Sequence, residues 1–312
     1  MPPFAKVRIQ GLYALPKAQE PVTAELLESV AEFFRRHSGR VLAITGAGVS
    51  VASGIPDYRG PQGTYRVHRG YTPILHHELI AHHATRQRYW ARSFFGIRPA
   101  FLASPNPTHR ALASLESAGH ISGLITQNVD GLHLRAGSRN VLELHGSLRH
   151  VRCLDCGHLE NREDFQRTLE ELNPVWAGVG REMLRSGEEP MRRPDGDIEL
   201  PAALSYADFA YPQCPKCHTG HFMPTVVFFG GNVAPEVRLR SHEMVEENGA
   251  VIVCGSSLAT FSAFRLVRHA REMGREVLIV NLGETRGDTE AKWKVEAPVE
   301  EIVPPVAAIL GA

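Results

Sequence analysis

The run Val41-Leu42-Ala43-Ile44-Thr45, followed at once by Gly46-Ala47-Gly48-Val49-Ser50, constrains this chain more than any other stretch. A short apolar segment rich in β-branched residues, closed by residues too small to fill a core, describes a buried strand ending in a glycine turn. Two glycines one residue apart at the carboxyl end of a parallel strand let backbone amides approach a bulky anion, with the N-terminus of the next helix behind them. The stretch reads as a phosphate-holding turn. It is not a complete dinucleotide fingerprint: Val51 stands where a third glycine belongs, and no acidic residue closes a second strand about twenty positions on.

The same pattern recurs along the chain. Residues 24 to 37 place Leu26, Leu27, Val30 and Phe34 on one helical face, with Gly39 at the stop. Asn106-Pro107-Thr108-His109 opens a helix carrying Leu112 and Leu115, which leads to a strand from Ile121 to Thr126 closed by Gln127-Asn128-Val129-Asp130. A strand from Val141 to Leu144 ends at His145-Gly146. Later come a strand from Thr225 to Phe229, a helix near 235 to 247, and a strand from Ala250 to Cys254 closed by Gly255-Ser256-Ser257. A helix from Leu258 to Met273 and a strand from Glu276 to Val280, closed by Asn281-Leu282-Gly283, complete the series. Strands alternating with helices predict an α/β fold, a doubly wound parallel Rossmann-like sheet with ligands at the carboxyl ends of its strands.

The expected sheet domain takes 23–60, 105–148 and 222–312, after an N-terminal extension at 1–22. Residues 61–104 read as a helical lid insertion. From 149 to 221 the chain turns to cysteines, charges and prolines with little periodicity, which marks a separate small module.

Composition narrows the function classes. Hydrophobic residues at 43% and charged ones at 22% predict a folded chain with a substantial core. With 34 basic against 34 acidic residues and no long block of like charge, nucleic acid is excluded as the main ligand. No apolar run approaches a bilayer span and the first twenty residues lack the apolar core of a secretory signal, so a cytoplasmic monomer with no membrane partner is expected. Lys6, Arg8 and Lys17, with no acid before Glu20, also have the character of an organelle transit peptide.

Four of the five cysteines form Cys153-Leu154-Asp155-Cys156 and Cys214-Pro215-Lys216-Cys217. Two Cys-x-x-Cys pairs, with Gly157 and Gly220 close behind, suit a tetrahedral four-thiolate zinc, each pair supplying two sulfurs from one turn. A redox dithiol would want a single pair at a helix start. Four sulfurs close the coordination, so the metal holds the fold and performs no chemistry. The thiols fit a reducing compartment, and Cys254, inside an apolar strand, reads as a buried inert thiol.

Together the strand ends offer Gly46, Gly48, Gly255, Ser256 and Ser257 for phosphates, Asn281 for a ribose, and Gln127, Asn128, Asp130 and His145 for chemistry. A histidine is suited to removing a proton from a ribose hydroxyl near neutral pH. At this point the chain resembles the sirtuins. The matching residues are Gly46-Ala47-Gly48-Val49-Ser50, Gly54-Ile55-Pro56-Asp57-Tyr58-Arg59, Thr126-Gln127-Asn128-Val129-Asp130, Leu144-His145-Gly146, the two cysteine pairs, Val226-Val227-Phe228-Phe229-Gly230, Gly255-Ser256-Ser257 and Asn281. They keep the family's order over about residues 25 to 305. The Gln87-Arg88-Tyr89-Trp90-Ala91-Arg92 stretch and Asn173-Pro174-Val175-Trp176 look most like the class II group.

The resemblance implies NAD-dependent removal of an acyl group from protein lysines: the acyl oxygen attacks the anomeric carbon of the nicotinamide ribose, nicotinamide leaves, and acyl ADP-ribose forms. It implies His145 as general base, Asn128 and Asp130 at the nicotinamide, Gln127 at the ribose, Arg59 and Ser256 at the phosphates, and Asn281 at the adenosine ribose. The implied cofactor set also takes in Ala47, Ser50, Ile55, Pro56, Asp57, Tyr58, Val129, Leu282, Gly283 and Val299, with the segment Gly54 to Arg59 ordering when NAD binds. Backbone of Val227 and Gly230, beside Phe228, would pair with the substrate peptide as an added strand. Tyr89 and Arg92, one helical turn apart, resemble a pair that grips an acidic acyl chain, as a phenol and a guanidinium can.

Two rival readings share these residues. Mono-ADP-ribosyl transfer to a protein would use the same pocket with another acceptor. A non-catalytic NAD or ADP-ribose sensor with a zinc-based protein-binding module would have no need of His145.

Overall fold

The computed structural model describes residues 19, 21–68, 72–187, 200–201 and 204–312. Most of the expected N-terminal extension, residues 1–18 and 20, lies outside them. The strands among the described residues are β1 (Val41–Thr45), β2 (Ile121–Thr126), β3 (Val141–Glu143), β4 (His150–Cys153), β5 (Leu159–Asn161), β6 (Phe222–Pro224), β7 (Ala250–Cys254), β8 (Glu276–Val280) and β9 (Trp293–Val295). Two compact units result. One takes the described residues up to Val67 with Ala103–His145 and Val233–Ala312, the other His68–Leu102 and Gly146–Asn232.

The first unit is a six-stranded sheet in the order β3-β2-β1-β7-β8-β9, parallel throughout. Every residue of β1 is buried, as the apolar run requires when helices cover both faces. Alternate side chains go to opposite faces. Val41 and Ala43, with Ile252 and Leu278, meet Val30 and Phe34 of the helix Ala24–His37, Leu112 of the helix Pro107–Ser117, and Ile302 of the helix Val299–Ile309. Leu42 and Ile44, with Val251 and Val253, meet Met244 of the helix Pro235–Glu246 and Leu266 of the helix Phe261–Glu272. Two apolar layers therefore clamp one sheet. The chain winds outward from β1 through β2 and β3 on one side and from β7 through β8 and β9 on the other, so the direction of winding switches between β1 and β7. That is the crevice where open α/β sheets bind ligands.

Helix boundaries follow local chemistry. Thr23 caps the first helix by accepting from Leu26 N at 3.2 Å, and Arg35, Arg36 and His37 in its last turn complement the helix dipole. Asn106 accepts from Thr108 N and His109 N and so starts the helix Pro107–Ser117, as the sequence indicates.

In the second unit the helix His83–Gly96 shares a core with the cysteine-rich segment. Trp90 and Phe94 pack on Phe165, Trp176, Phe209 and Phe222 beside a three-stranded antiparallel sheet, β5-β4-β6. Removing such a buried ring costs about 3–5 kcal/mol. The Arg162 guanidinium lies 5.4 Å from the Trp90 ring centre, and burial pushes its pKa down to about 10.

Three local expectations change. Thr225–Phe229 is not a strand: the strand is Phe222–Pro224, because those residues pair with β4, whereas Phe229 makes only an isolated bridge to Leu75. The final β-linked helix begins at Phe261 rather than Leu258, whose φ of 52° puts it in a left-handed turn while its side chain fills the core. Residues 149–221 contain two amphipathic helices, Arg162–Leu172 and Pro174–Ser186, started by Asn161 and by a first-turn proline.

Candidate active site and metal centre

At the β1/β7 crevice two loops meet backbone to backbone. Gly46 N donates to Cys254 O at 3.1 Å and Gly48 N to Gly255 O at 2.9 Å. A Cβ on Gly48 would sit 2.8 Å from Gly255 Cα, and one on Gly46 2.7 Å from the Ser256 Cβ. The glycines are required by this loop-on-loop approach. Their amides donate to carbonyls of the facing loop, so the two glycines serve this packing as well. The turn continues as a 3-10 helix, Ala47–Ser53, rather than an α-helix.

Behind these loops lies a buried polar cluster. Ser50 Oγ donates to Asp130 Oδ2 at 2.8 Å and accepts from Asn128 Nδ2 at 3.0 Å. His109 Nε2 stands 3.5 Å from the same oxygen. The His109 Nδ1 accepts from Asn106 N, which leaves its proton on Nε2, pointing at Ser50. One donated and two accepted bonds saturate the hydroxyl. Asn128 Nδ2 also reaches Gly46 O at 3.0 Å, and Asp130 Oδ1 accepts from Leu132 N at 2.9 Å. Below them Thr45 Oγ1 joins Thr126 Oγ1 at 2.9 Å and His133 Nε2 at 3.0 Å. The His109 and His133 rings lie 4.7 Å apart. Burial, partly opposed by Asp130, pushes His109 down to about 4. Burial and then the neighbouring His109 push His133 down to about 3. Both imidazoles are neutral at pH 7.

His145 follows β3. Its Nδ1 donates to Gln127 O at 3.0 Å, so Nε2 carries the lone pair, 2.8 Å from Ser262 Oγ. Burial lowers its pKa, against the Gln127 hydrogen bond. Gln127 Nε2 donates to Ser256 Oγ at 2.7 Å. Gln127, Asn128, Asp130, His145, Gly46, Ser50 and Ser256 are thus brought together. Ser262, His109 and His133 are the functional neighbours that sequence reasoning missed, for no motif spacing links residues so far apart in the chain.

Other expected residues take separate places. Asp57 O accepts from Thr64 N, and burial raises the carboxyl of Asp57. Arg59 lies over the Tyr65 ring at 5.1 Å and Tyr58 packs 5.4 Å from that ring, so the segment after Ile55 and Pro56 folds back on itself. Asn281 Nδ2 bonds to Leu282 O and Gly283 O and shapes the turn after β8. Val299 is buried in the apolar layer under the sheet, while Ala47, Val129 and Ser257 are half-buried. In the second unit Tyr89 packs on Phe228 with ring centres 5.3 Å apart, Val227 and Arg92 are half-buried, and Gly230 is exposed with φ 77°.

Cys153, Cys156, Cys214 and Cys217 converge in that unit, all four sulfurs within 4.8 Å of one another. The Cys153–Cys217 and Cys156–Cys214 separations are 3.7 Å. Tetrahedral zinc at ~2.3 Å from each sulfur sets sulfurs about 3.8 Å apart, so the cluster fits the metal. Lys216 N and Gly220 N point at Cys214 and Cys217 sulfur, as thiolates require, and a Cβ on Gly220 would lie 2.2 Å from Cys153 Sγ.

A profile described as the Sir2 family matches residues 46–262. The chain is 42% identical over 287 residues to the NAD-dependent protein deacylase SIR4 of Batrachochytrium dendrobatidis, covering 90% of this chain and 93% of that one. It is 38% identical over 298 residues to the mitochondrial NAD-dependent protein lipoamidase sirtuin-4 of Bos taurus, covering 96% and 90%. A Sir2 structure with a p53 peptide and NAD+ superposes with TM-score 0.66 at 29% identity, covering 91% of this chain and 98% of that one. The chain belongs to the Sir2 family, the sirtuins.

Two predictions follow from this geometry. An unfolded histidine titrates near 6.5, so between that pH and about 4 for His109, and about 3 for His133, the unfolded chain binds more protons. Stability therefore falls as pH falls below 6.5, by up to about 1.4 kcal/mol per pH unit for each histidine; denaturant midpoints from pH 7 to 4 will show a shallower slope in His133→Gln. Cys214→Ser will lower bound zinc measured by atomic emission and expose the tryptophans of the second unit to quencher; a full zinc complement would refute four-thiolate ligation.

Proposed function

We infer that this sirtuin is an NAD-dependent protein lysine deacylase, and the observation that carries the reading is the neutral His145 imidazole whose Nε2 lone pair stands at the sheet crevice. NAD supplies, when bound, the ribosyl carbon that receives the acyl oxygen and the hydroxyl that needs a base. Gln127 O fixes the tautomer of His145 so that Nε2 can take that proton. Burial keeps the imidazole neutral, hence competent as a base, at physiological pH. Ser50 holds Asn128 and Asp130 through one hydroxyl, which keeps their polar edges fixed where the nicotinamide end is expected. Gly46, Gly48, Gly255 and Ser256 line the phosphate end. A sensor needs no such base, which weighs against the non-catalytic reading.

The segment Val226 to Gly230 is short of sheet partners, which supports its role as the edge to which a substrate peptide adds a strand. Tyr89 lies against Phe228 of that segment and Arg92 is one helical turn on, which supports this pair as the acyl-chain selector. The thiols of Cys153, Cys156, Cys214, Cys217 and Cys254 are unpaired by disulfides and suit a reducing compartment, which supports the cytoplasm as the place of the enzyme. No helix among the described residues is long and apolar enough to cross a membrane.

His145→Ala will reduce peptide deacylation about 10²- to 10⁴-fold, read as deacylated peptide by mass spectrometry. In the wild type the rate will fall as pH drops through the lowered His145 pKa, with its acid limb below 6.5. If NAD binds but no nicotinamide appears with acetyl, carboxyacyl or lipoyl peptides, the deacylase reading is wrong. Arg92→Ala will lower turnover of a carboxylate-bearing acyl peptide about tenfold relative to an acetyl one; an unchanged ratio would remove Arg92 from acyl selection.

A further inference from the structure

The base assigned above has a protein group seated on its reactive atom. Because the Gln127 carbonyl can only accept, the His145 Nδ1 holds the proton and Nε2 has one lone pair. Ser262 Oγ, 2.8 Å away, must donate to that lone pair. A substrate hydroxyl cannot bond to it at the same time. Ser262 is half-buried, and with its proton given to Nε2 its oxygen keeps lone pairs that can accept.

The placement of the serine is built into the fold. Ser262 is the second residue of the helix Phe261–Glu272, and the loop before it is tied to Gln127 at two points. Gln127 Nε2 donates to Ser256 Oγ, and Thr260 Oγ1 donates to Gln127 Oε1 at 3.1 Å. Ser256 Oγ also accepts from Leu258 N at 3.1 Å, at the residue held in the left-handed region. One glutamine therefore fixes the imidazole through its backbone and the serine-bearing segment through its side chain.

We propose that Ser262 relays the proton between the substrate hydroxyl and His145. The serine oxygen accepts the hydroxyl proton while its own proton passes to Nε2. One substrate O–H bond breaks, the serine O–H bond is exchanged, and one N–H bond forms, leaving a substrate alkoxide and an imidazolium that Gln127 O still holds at Nδ1. Serine has the one donor and two acceptor sites the exchange demands, and it is neutral before and after.

The inference rests on the deacylase reading, and the test separates the two. Single-turnover reactions with acyl peptide and NAD are followed for nicotinamide and for deacylated peptide, in mixtures of H2O and D2O. Ser262→Ala will lose about tenfold or more in deacylated peptide relative to nicotinamide released. The wild-type dependence of that step on deuterium fraction will be curved, from two protons in motion, and linear in Ser262→Ala. Ser262→Thr, which keeps the hydroxyl, will restore both rate and curvature. A Ser262→Ala enzyme with wild-type partitioning overturns the relay. So does a slow Ser262→Ala enzyme beside a linear wild type, since the serine then only supports the ring. A wild type that releases no nicotinamide in response to acyl peptide overturns the deacylase reading instead.

Discussion

The contact between the Gly46–Gly48 turn and the Gly255–Ser256 turn is the constraint on which the catalytic unit depends. The two hydrogen bonds across it continue the β1/β7 ladder past the strand ends, and they leave no room for a Cβ on either side. Overpacking of this kind costs about 1–3 kcal/mol, yet its larger effect is positional. Asn128 is bonded to Gly46 O, and Gln127 to Ser256, so a shift of the first turn would move Asn128 and a shift of the second would move Gln127, which holds His145.

The polar cluster beneath the turns is held by neutral groups except for Asp130. The two imidazoles are buried uncharged, His109 bonded at both nitrogens and His133 at Nε2 alone, and charging them there would cost about 1.4 kcal/mol for every unit by which their pKa is lowered. His109 and His133 thus add directional bonds at Ser50 and Thr45 without adding charge. The result is a rigid bed for Asn128 and Asp130, two groups whose use depends on orientation more than on charge.

Five of the six strands of the parallel sheet were legible because each carried its signal locally, in apolar runs closed by small or polar residues, as at Thr45-Gly46 and Thr126-Gln127, whereas β9, three residues from Trp293 to Val295, carried none. The four thiolates were legible because ligand spacing is a covalent matter of two turns. Partners set by tertiary proximity were not. Ser262 meets His145 only after β3 and the loop beyond β7 are both in place, and the Thr225–Phe229 run was misread since its apolar content could not reveal that β4 pairs with Phe222–Pro224. Arg162 and its helix escaped notice because its polar face outweighed the apolar stripe of Phe165 and Leu169 in a segment read by composition.

The strand order has a consequence for synthesis of the chain. β1 lies at the middle of the sheet, yet Val41 pairs with Ala250 on one side and Ile121 on the other. The innermost strand therefore waits for a neighbour encoded far downstream, a non-local pairing that slows folding. Both segments of the zinc-bearing unit, His68–Leu102 and Gly146–Asn232, leave the ribosome before β7 does. All four cysteines of the metal site are therefore synthesised before the second neighbour of the innermost strand.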